Sequence, residues 1–268
     1  VFIDSEIWPN MLINLEKNSI TRILLNARIS KRSFRRWKKL GNFSKNIFKK
    51  FNYTYPQNQE SKNYLSKMNV KKIKLIGNLK FSQNNLEIND LNQNFKRFMA
   101  SKKLWCAVST HPGEEKLCVD VHSRLIKKFK NLVLILIPRH AERADSLQGE
   151  LSKFNLEQHI HSNKKNINKN TKIYIVDTYG ETGLFFKVCK TVFLGKSLTV
   201  DGGQNPLEPA RDNCIIIHGP KVSNFTEIYD YLDNQKIAFK INNKNKLYKK
   251  LFGLLSKKKN VSKLKNKI

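Results

Sequence analysis

The stretch Asp201-Gly202-Gly203-Gln204-Asn205-Pro206-Leu207-Glu208-Pro209-Ala210 holds residue types well suited to meeting an anion. It lies between two short apolar runs, Thr191–Leu194 and Cys214–Ile217. Paired glycines permit a tight turn and a close approach of backbone to a ligand. Asn205 fits an N-cap, Pro206 the first helical position, and Glu208 the reciprocal position three residues after the cap. Free N–H groups and the dipole at such a helix start can hold phosphate or carboxylate. The same residues also make an ordinary capping box on a structural helix, so this stretch alone leaves both readings open. Thr178 and Glu181, either side of Tyr179-Gly180, repeat the capping pattern. Arg139, after Pro138, offers a planar guanidinium fork that matches phosphate or carboxylate. His111 and His140 have the chemistry to donate to phosphate or ribose, although lone histidines at strand ends are more often structural.

The elements that must position these residues are legible as alternating patterns. From Leu104 onward, strand-like runs at Leu104–Ser109, Leu132–Ile137, Lys172–Val176, Thr191–Leu194, Cys214–Ile217 and Ile237–Ile241 alternate with helical segments, and a short run stands at Gln158–His161. This order predicts an α/β fold with a doubly wound parallel sheet, buried on both faces. In such sheets a ligand sits outside the carboxyl ends of the strands. The loops Ser109–Glu115, Pro138–Arg143, Asp177–Glu181 and Gly195–Glu208 all leave strands at that edge, which predicts a nucleotide-binding crevice there. Ahead of this region lie a strand Val1–Asp4, a helix from Pro9 and a strand Ile20–Leu25. A helical pattern over Lys31–Phe51, interrupted at Gly41, a polar helix Gln57–Lys67 and a strand Lys72–Ile76 follow. Polar Ser82–Asn94 reads as an inter-domain connection, and Asn163–Asn170 as a mobile surface insert.

The chain has 268 residues, an apolar fraction of 40% and a formal charge of +30 from 51 basic and 21 acidic residues. That excess favours an anionic partner, although biased Lys, Asn and Ile usage explains it equally well. Cys106, Cys118, Cys189 and Cys214 show no metal-ligand spacing and read as buried, reduced thiols. No apolar run is long enough to span a bilayer, and no signal peptide is visible. The opening Val1 stands inside an apolar run, as expected of a chain with a missing N-terminal portion. The helix Lys31–Phe51 mixes aromatic and basic residues, which suits either an anionic membrane or a solvated helix over a sheet. No RNP, KH or zinc-finger signature supports nucleic acid as partner.

Taken in order, SEIWPN, LLNARIS, GNLKF, STHPGEE, PRHAERAD, DTYGETG, DGGQNPLEPA and GPKVSNFTEI resemble the 3-deoxy-D-manno-octulosonic acid (Kdo) transferases of lipopolysaccharide synthesis. The resemblance implies two Rossmann-like domains of the B-type glycosyltransferase fold, the first only partly present. Residues 1–81 would be the remainder of the acceptor-side domain and 82–268 the nucleotide-sugar domain. It implies CMP-Kdo as donor substrate with no further cofactor, and a tetraacyl lipid A precursor as acceptor. Placement at the cytoplasmic face of the bacterial inner membrane, against its anionic surface, would follow. By the same resemblance Pro138, Arg139, Tyr179, Gly180, Glu181, Asn205, Pro206, Leu207 and Glu208 match CMP-binding positions. Glu6 and Lys80 match positions that stabilise the transition state, where paired charges suit a developing sugar cation. No metal is expected. Ala141, Thr182 and Gln204 depart from the family's usual residues, and its general-base Glu has no counterpart here. The chain alone is therefore expected to bind donor without turning it over. Another nucleotide-sugar donor on the same fold, or a non-catalytic basic polyanion-binding protein, are the alternatives.

Overall fold

The computed structural model describes residues 1–79, 91, 93–163 and 166–256. They fall into two compact units, Val1–Asn85 and Leu86–Ile268. No described helix is long and apolar enough to cross a membrane.

The first unit holds a parallel sheet in the order β1 (Phe2–Ile3), β2 (Ile23–Ala27), β3 (Tyr53–Pro56). Helices α1 (Pro9–Lys17), α2 (Lys31–Lys39), α3 (Gly41–Phe48) and α4 (Gln59–Lys67) connect and cover it. Leu12, Leu24, Ile47, Phe48, Phe51 and Leu65 form its core. Ser30 and Asn58 cap α2 and α4 through the backbone N–H groups of Ser33 and Ser61. The expected helix Lys31–Phe51 is two helices, broken where Gly41 takes φ +55°.

Two expectations for this unit need correction, and one strand was missed. The strand expected at Ile20–Leu25 begins at Ile23, because the Arg22 side chain spends its donors on the carbonyls of Ile20 and Lys50. Those contacts fold residues 20–22 into a loop. The strand Tyr53–Pro56 went unforeseen. It is four residues long and ends in a proline, so its alternation of buried Thr54 and Pro56 is too brief to stand out. The expected strand Lys72–Ile76 is reduced to one bridge, Ile73 to Thr54, while Leu75 and Ile76 stay exposed.

In the second unit, strands β4 (Lys103–Thr110), β5 (Leu132–Pro138), β6 (Gln158–Ile160), β7 (Ile173–Ile175), β8 (Thr191–Leu194), β9 (Ile215–His218) and β10 (Ala238–Lys240) form one parallel sheet. Its order is β10-β9-β8-β4-β5-β7-β6. All seven residues of β5 are buried. Side chains alternate across a strand; accordingly Val133, Ile135 and Ile137 join one core while Leu132, Leu134 and Leu136 join the other. The first core is closed by α5 (Gln93–Met99), α8 (Thr182–Val188), α9 (Leu207–Arg211) and α10 (Thr226–Asn234). The second is closed by α6 (Glu114–Leu125), α7 (Ala144–Leu151) and α11 (Lys244–Ser256). Continuous apolar strands without a polar face result from this double cover. The four cysteines are free and buried, and burial raises the Cys214 thiol to about 12. The inter-domain stretch Ser82–Asn94 lies mostly outside the described residues, as do Lys164 and Lys165 of the insert. The last part of that stretch opens α5.

Candidate functional site

The chain runs from β4 outward to β5, and after β7 crosses back to β8 on the other side of β4. The strand order therefore switches between β4 and β8, the place at which sheets of this kind take a ligand beside the loops that follow those strands. Glu114 ties those loops together. Its carboxylate, with no exposed surface, accepts from the backbone N–H groups of His111 (3.0 Å), Lys196 (2.8 Å), Ser197 (3.1 Å) and Leu198 (2.9 Å). Thr199 N adds a long contact at 3.5 Å. Successive backbone N–H groups of this kind form an anion-binding concavity, and here the protein fills it with its own carboxylate. Such closeness requires Gly195, where a Cβ would stand 2.5 Å from Ser109 O and 2.8 Å from Glu114 Oε2. Sequence reasoning placed Glu114 only within a loop. An acidic residue in a first helical turn is too common to betray a partner eighty residues away.

Adjacent strands add the polar groups foreseen from the sequence. Pro138 is buried at the end of β5, and Arg139 follows it with an exposed side chain and its N–H on Thr110 O at 3.0 Å. Beneath this loop Arg143 pairs with buried Glu115 at 2.9 Å. Burial raises the Glu115 carboxyl, and the arginine opposes that shift. Tyr179 joins the β5 and β7 loops: its hydroxyl donates to Glu142 Oε2 at 2.6 Å and accepts from Ala141 N at 3.2 Å. The Glu142 hydrogen bond raises the Tyr179 phenol, while the nearby Arg139 charge works against it. His111 and His140 meet edge to face at 6.2 Å. Burial, followed by the charges of Lys196, His140 and Arg139, holds His111 below its ordinary pKa against the pull of Glu114. Arg139 and Lys196 are cations of this edge that bear on His111, beside the carboxylates of Glu114 and Glu142.

Gly180 takes φ +84°, a turn with open space where a Cβ would be. Glu181 does not complete a capping box. It is itself the N-cap of α8, without a side-chain cap, and its carboxylate accepts from Thr178 Oγ1 and meets His161 Nε2 at 3.2 Å. The box expected at Asn205–Glu208 also fails to form. Pro206 is the N-cap of α9, and Asn205 Oδ1 instead receives Leu207 N at 3.2 Å. The helix thus begins one residue later than expected, while Asn205 still caps its first N–H. The glycine turn before it is real: Gly202 and Gly203 take φ +126° and +68°, and Gly203 N donates to Lys196 O at 2.8 Å. Leu207 packs in the core beside Leu184 and Phe185 of α8, and Glu208 stays exposed. Partial desolvation, then Asp212, raises the Glu208 carboxyl. Among the described residues no direct hydrogen bond joins Asn205–Glu208 to the β5 and β7 loops. In the first unit Glu6 is exposed and its carboxylate accepts from Trp8 Nε1 at 2.8 Å. Lys80 lies outside the described residues.

A doubly wound parallel sheet with its polar loops at the carboxyl edge, preceded by a second parallel α/β unit, is the architecture of B-type glycosyltransferases. The fold of the whole chain is accordingly similar to α,α-trehalose 6-phosphate synthase from Burkholderia multivorans (TM-score 0.57, 13% identity, 99% of this chain and 65% of that one). Residues 1–83 match the family described as 3-deoxy-D-manno-octulosonic-acid transferase (kdotransferase). Across 96% of its length the chain is 33% identical to the 3-deoxy-D-manno-octulosonic acid transferase of Rickettsia felis, of which it covers 55%. Along nearly its whole length the chain is thus similar to a member of this family. It spans about half the length of that curated relative. Its structure is also similar to the C-terminal CMP-Kdo binding domain of WaaA from Acinetobacter baumannii (TM-score 0.60, 26% identity, 64% of this chain and 90% of that one).

Proposed function

We propose that the second unit binds CMP-Kdo and that the whole protein transfers Kdo to a tetraacyl lipid A precursor, with inversion at the anomeric carbon. One observation carries this reading: the likeness to a CMP-Kdo binding domain takes in 90% of that domain. The exposed Arg139 at the carboxyl edge supports it. Arg139 supplies a fork for phosphate or for the carboxylate of the sugar acid. Backbone N–H groups near the glycine turn and Glu208 beyond it suit phosphate and ribose hydroxyls respectively. Glu6 and Lys80 would stabilise charge as the phosphate leaves, and a general base elsewhere in the protein would activate the acceptor hydroxyl. Such an acceptor places the reaction at the cytoplasmic face of the inner membrane.

The deciding experiment is a transfer assay on the whole protein with a lipid A precursor and either CMP-Kdo or UDP-sugars. Labelled product is expected from CMP-Kdo; product from a UDP-sugar alone would refute the donor. Calorimetry on the 268-residue chain tests the site itself. Arg139→Ala should weaken CMP binding by roughly 1.5–3 kcal/mol, about ten- to hundredfold, by removing a charge-assisted hydrogen bond. Equal affinity with and without the guanidinium would remove Arg139 from the site.

A further inference from the structure

We infer that His161 is a positioning residue of the donor site: it holds the Glu181 carboxylate so that one oxygen accepts from the exocyclic amino group of cytosine, which selects cytidine over uridine nucleotides. The inference rests on the reading that the second unit binds CMP-Kdo. Cytosine presents an N–H₂ donor where uracil presents a carbonyl acceptor, and a carboxylate pairs with the first. An ionised carboxylate accepts and cannot donate, so it opposes the second. Three carboxylates of the carboxyl edge are engaged on both oxygens. Glu114 holds the β4 and β8 loops, Glu142 meets Tyr179 and His140, and Asp177 takes the N–H and hydroxyl of Ser162. Glu181 is different. Thr178 Oγ1 and His161 Nε2 both fall on its Oε2, and among the described residues none donates to Oε1. Its side chain is 36% exposed at the start of α8, and α8 packs beside α9, which carries Glu208. With ribose at the start of α9, the base is the part of the nucleotide left to meet the start of α8.

The histidine is itself fixed from several sides. It follows β6, and its backbone N–H donates to Ile175 O at 2.8 Å. Its ring is 15% exposed and stands edge-on to both Tyr174 and Phe185 at 5.6 Å. Nδ1 lies 2.8 Å from the Tyr174 hydroxyl. Burial, then the charges of Asp177 and Glu181, holds that phenol well above its ordinary pKa, so it keeps its proton and donates. A neutral ring whose Nδ1 accepts carries its proton on Nε2, the atom 3.2 Å from Glu181 Oε2. Tyr174 thus sets the tautomer, and His161 with Thr178 pins one carboxylate oxygen so that the other is left for a ligand. Discrimination needs this fixing. A carboxylate free to rotate could turn away from a uracil carbonyl toward water, whereas a held one leaves the wrong base unpaired against it.

Calorimetry of CMP and UMP on the 268-residue chain tests the assignment. CMP should bind about ten- to hundredfold more tightly than UMP, the worth of one hydrogen bond to a charged acceptor. His161→Phe keeps an aromatic ring against Tyr174 and Phe185 and removes the donor. It should bring the preference within about threefold by weakening CMP, with UMP little changed. His161→Gln, whose amide NH₂ can replace the Nε2 donor, should recover most of the preference. Arg139→Ala should weaken both nucleotides alike, because the phosphate is common to them. Circular dichroism should report the same fold for all three variants. A His161→Phe chain that keeps the wild-type ratio, or that loses CMP and UMP equally, would overturn the role of His161 and leave CMP binding itself standing. So would a Gln variant no more selective than the Phe variant. Equal affinity of the unsubstituted chain for CMP and UMP would overturn the base selection. Failure of that chain to bind CMP at all would instead refute the donor reading, and this inference with it.

Discussion

Glu114→Ala is expected to lower the stability of the second unit by about 3–5 kcal/mol, because it strands several buried N–H groups at once. His111, Lys196, Ser197 and Leu198 all donate to this one carboxylate, at 2.8–3.1 Å. Each buried donor left without an acceptor costs roughly 1–3 kcal/mol. Water entering the vacated space would recover part of the sum, which keeps the expected loss below a simple total. Glu114→Gln should lie between the two, since its carbonyl still accepts while its NH₂ opposes the remaining donors. Urea denaturation supplies the check: the midpoint should fall with the slope unchanged. A loss under about 1 kcal/mol would mean that the carboxylate does not hold the β4 and β8 loops together.

Much of the second unit was legible because parallel strands buried on both faces are continuous apolar runs. Leu132–Ile137 and Thr191–Leu194 could be read almost to the residue for that reason. In the first unit the signals were weaker: a four-residue strand ending in Pro56, and an apolar run at Lys72–Ile76 that makes a single bridge. The convergence of loops at one sheet edge followed from topology alone. Local capping patterns misled, since Thr178–Glu181 and Asn205–Glu208 have the composition of capping boxes but use their side chains otherwise. What binds the edge together could not be read at all. Glu114 meets residues 196–198, and Tyr179 meets Glu142, by pairings that no local spacing encodes.

Gly219→Ala should be still more damaging, costing more than about 4 kcal/mol or preventing folding outright. Gly219 follows β9 and donates its N–H to Ser197 Oγ at 2.9 Å. A Cβ there would lie 2.0 Å from Ser197 O, 2.4 Å from Ser197 C and 2.8 Å from Leu198 N. Those are backbone atoms, so no side chain can swing aside. Nor can the segment retreat. Ser197 Oγ donates to Leu194 O at 2.6 Å, Lys221 N donates to Ser197 O at 2.9 Å, and Glu114 holds the N–H groups of both Ser197 and Leu198. Overpacking a core usually costs about 1–3 kcal/mol because neighbours shift; here the neighbours are fixed from several sides. Gly180→Ala provides the contrast. Its φ of +84° penalises a side chain, yet a Cβ would meet nothing within 4 Å. That variant should lose only about 1–2 kcal/mol, the strain of a left-handed residue. Thermal melts of both variants separate steric from conformational cost. If Gly219→Ala melts no lower than Gly180→Ala, the backbone around Ser197 has slack, and the β8–β9 contact cannot be the rigid floor that keeps the glycine turn and Asn205 in place.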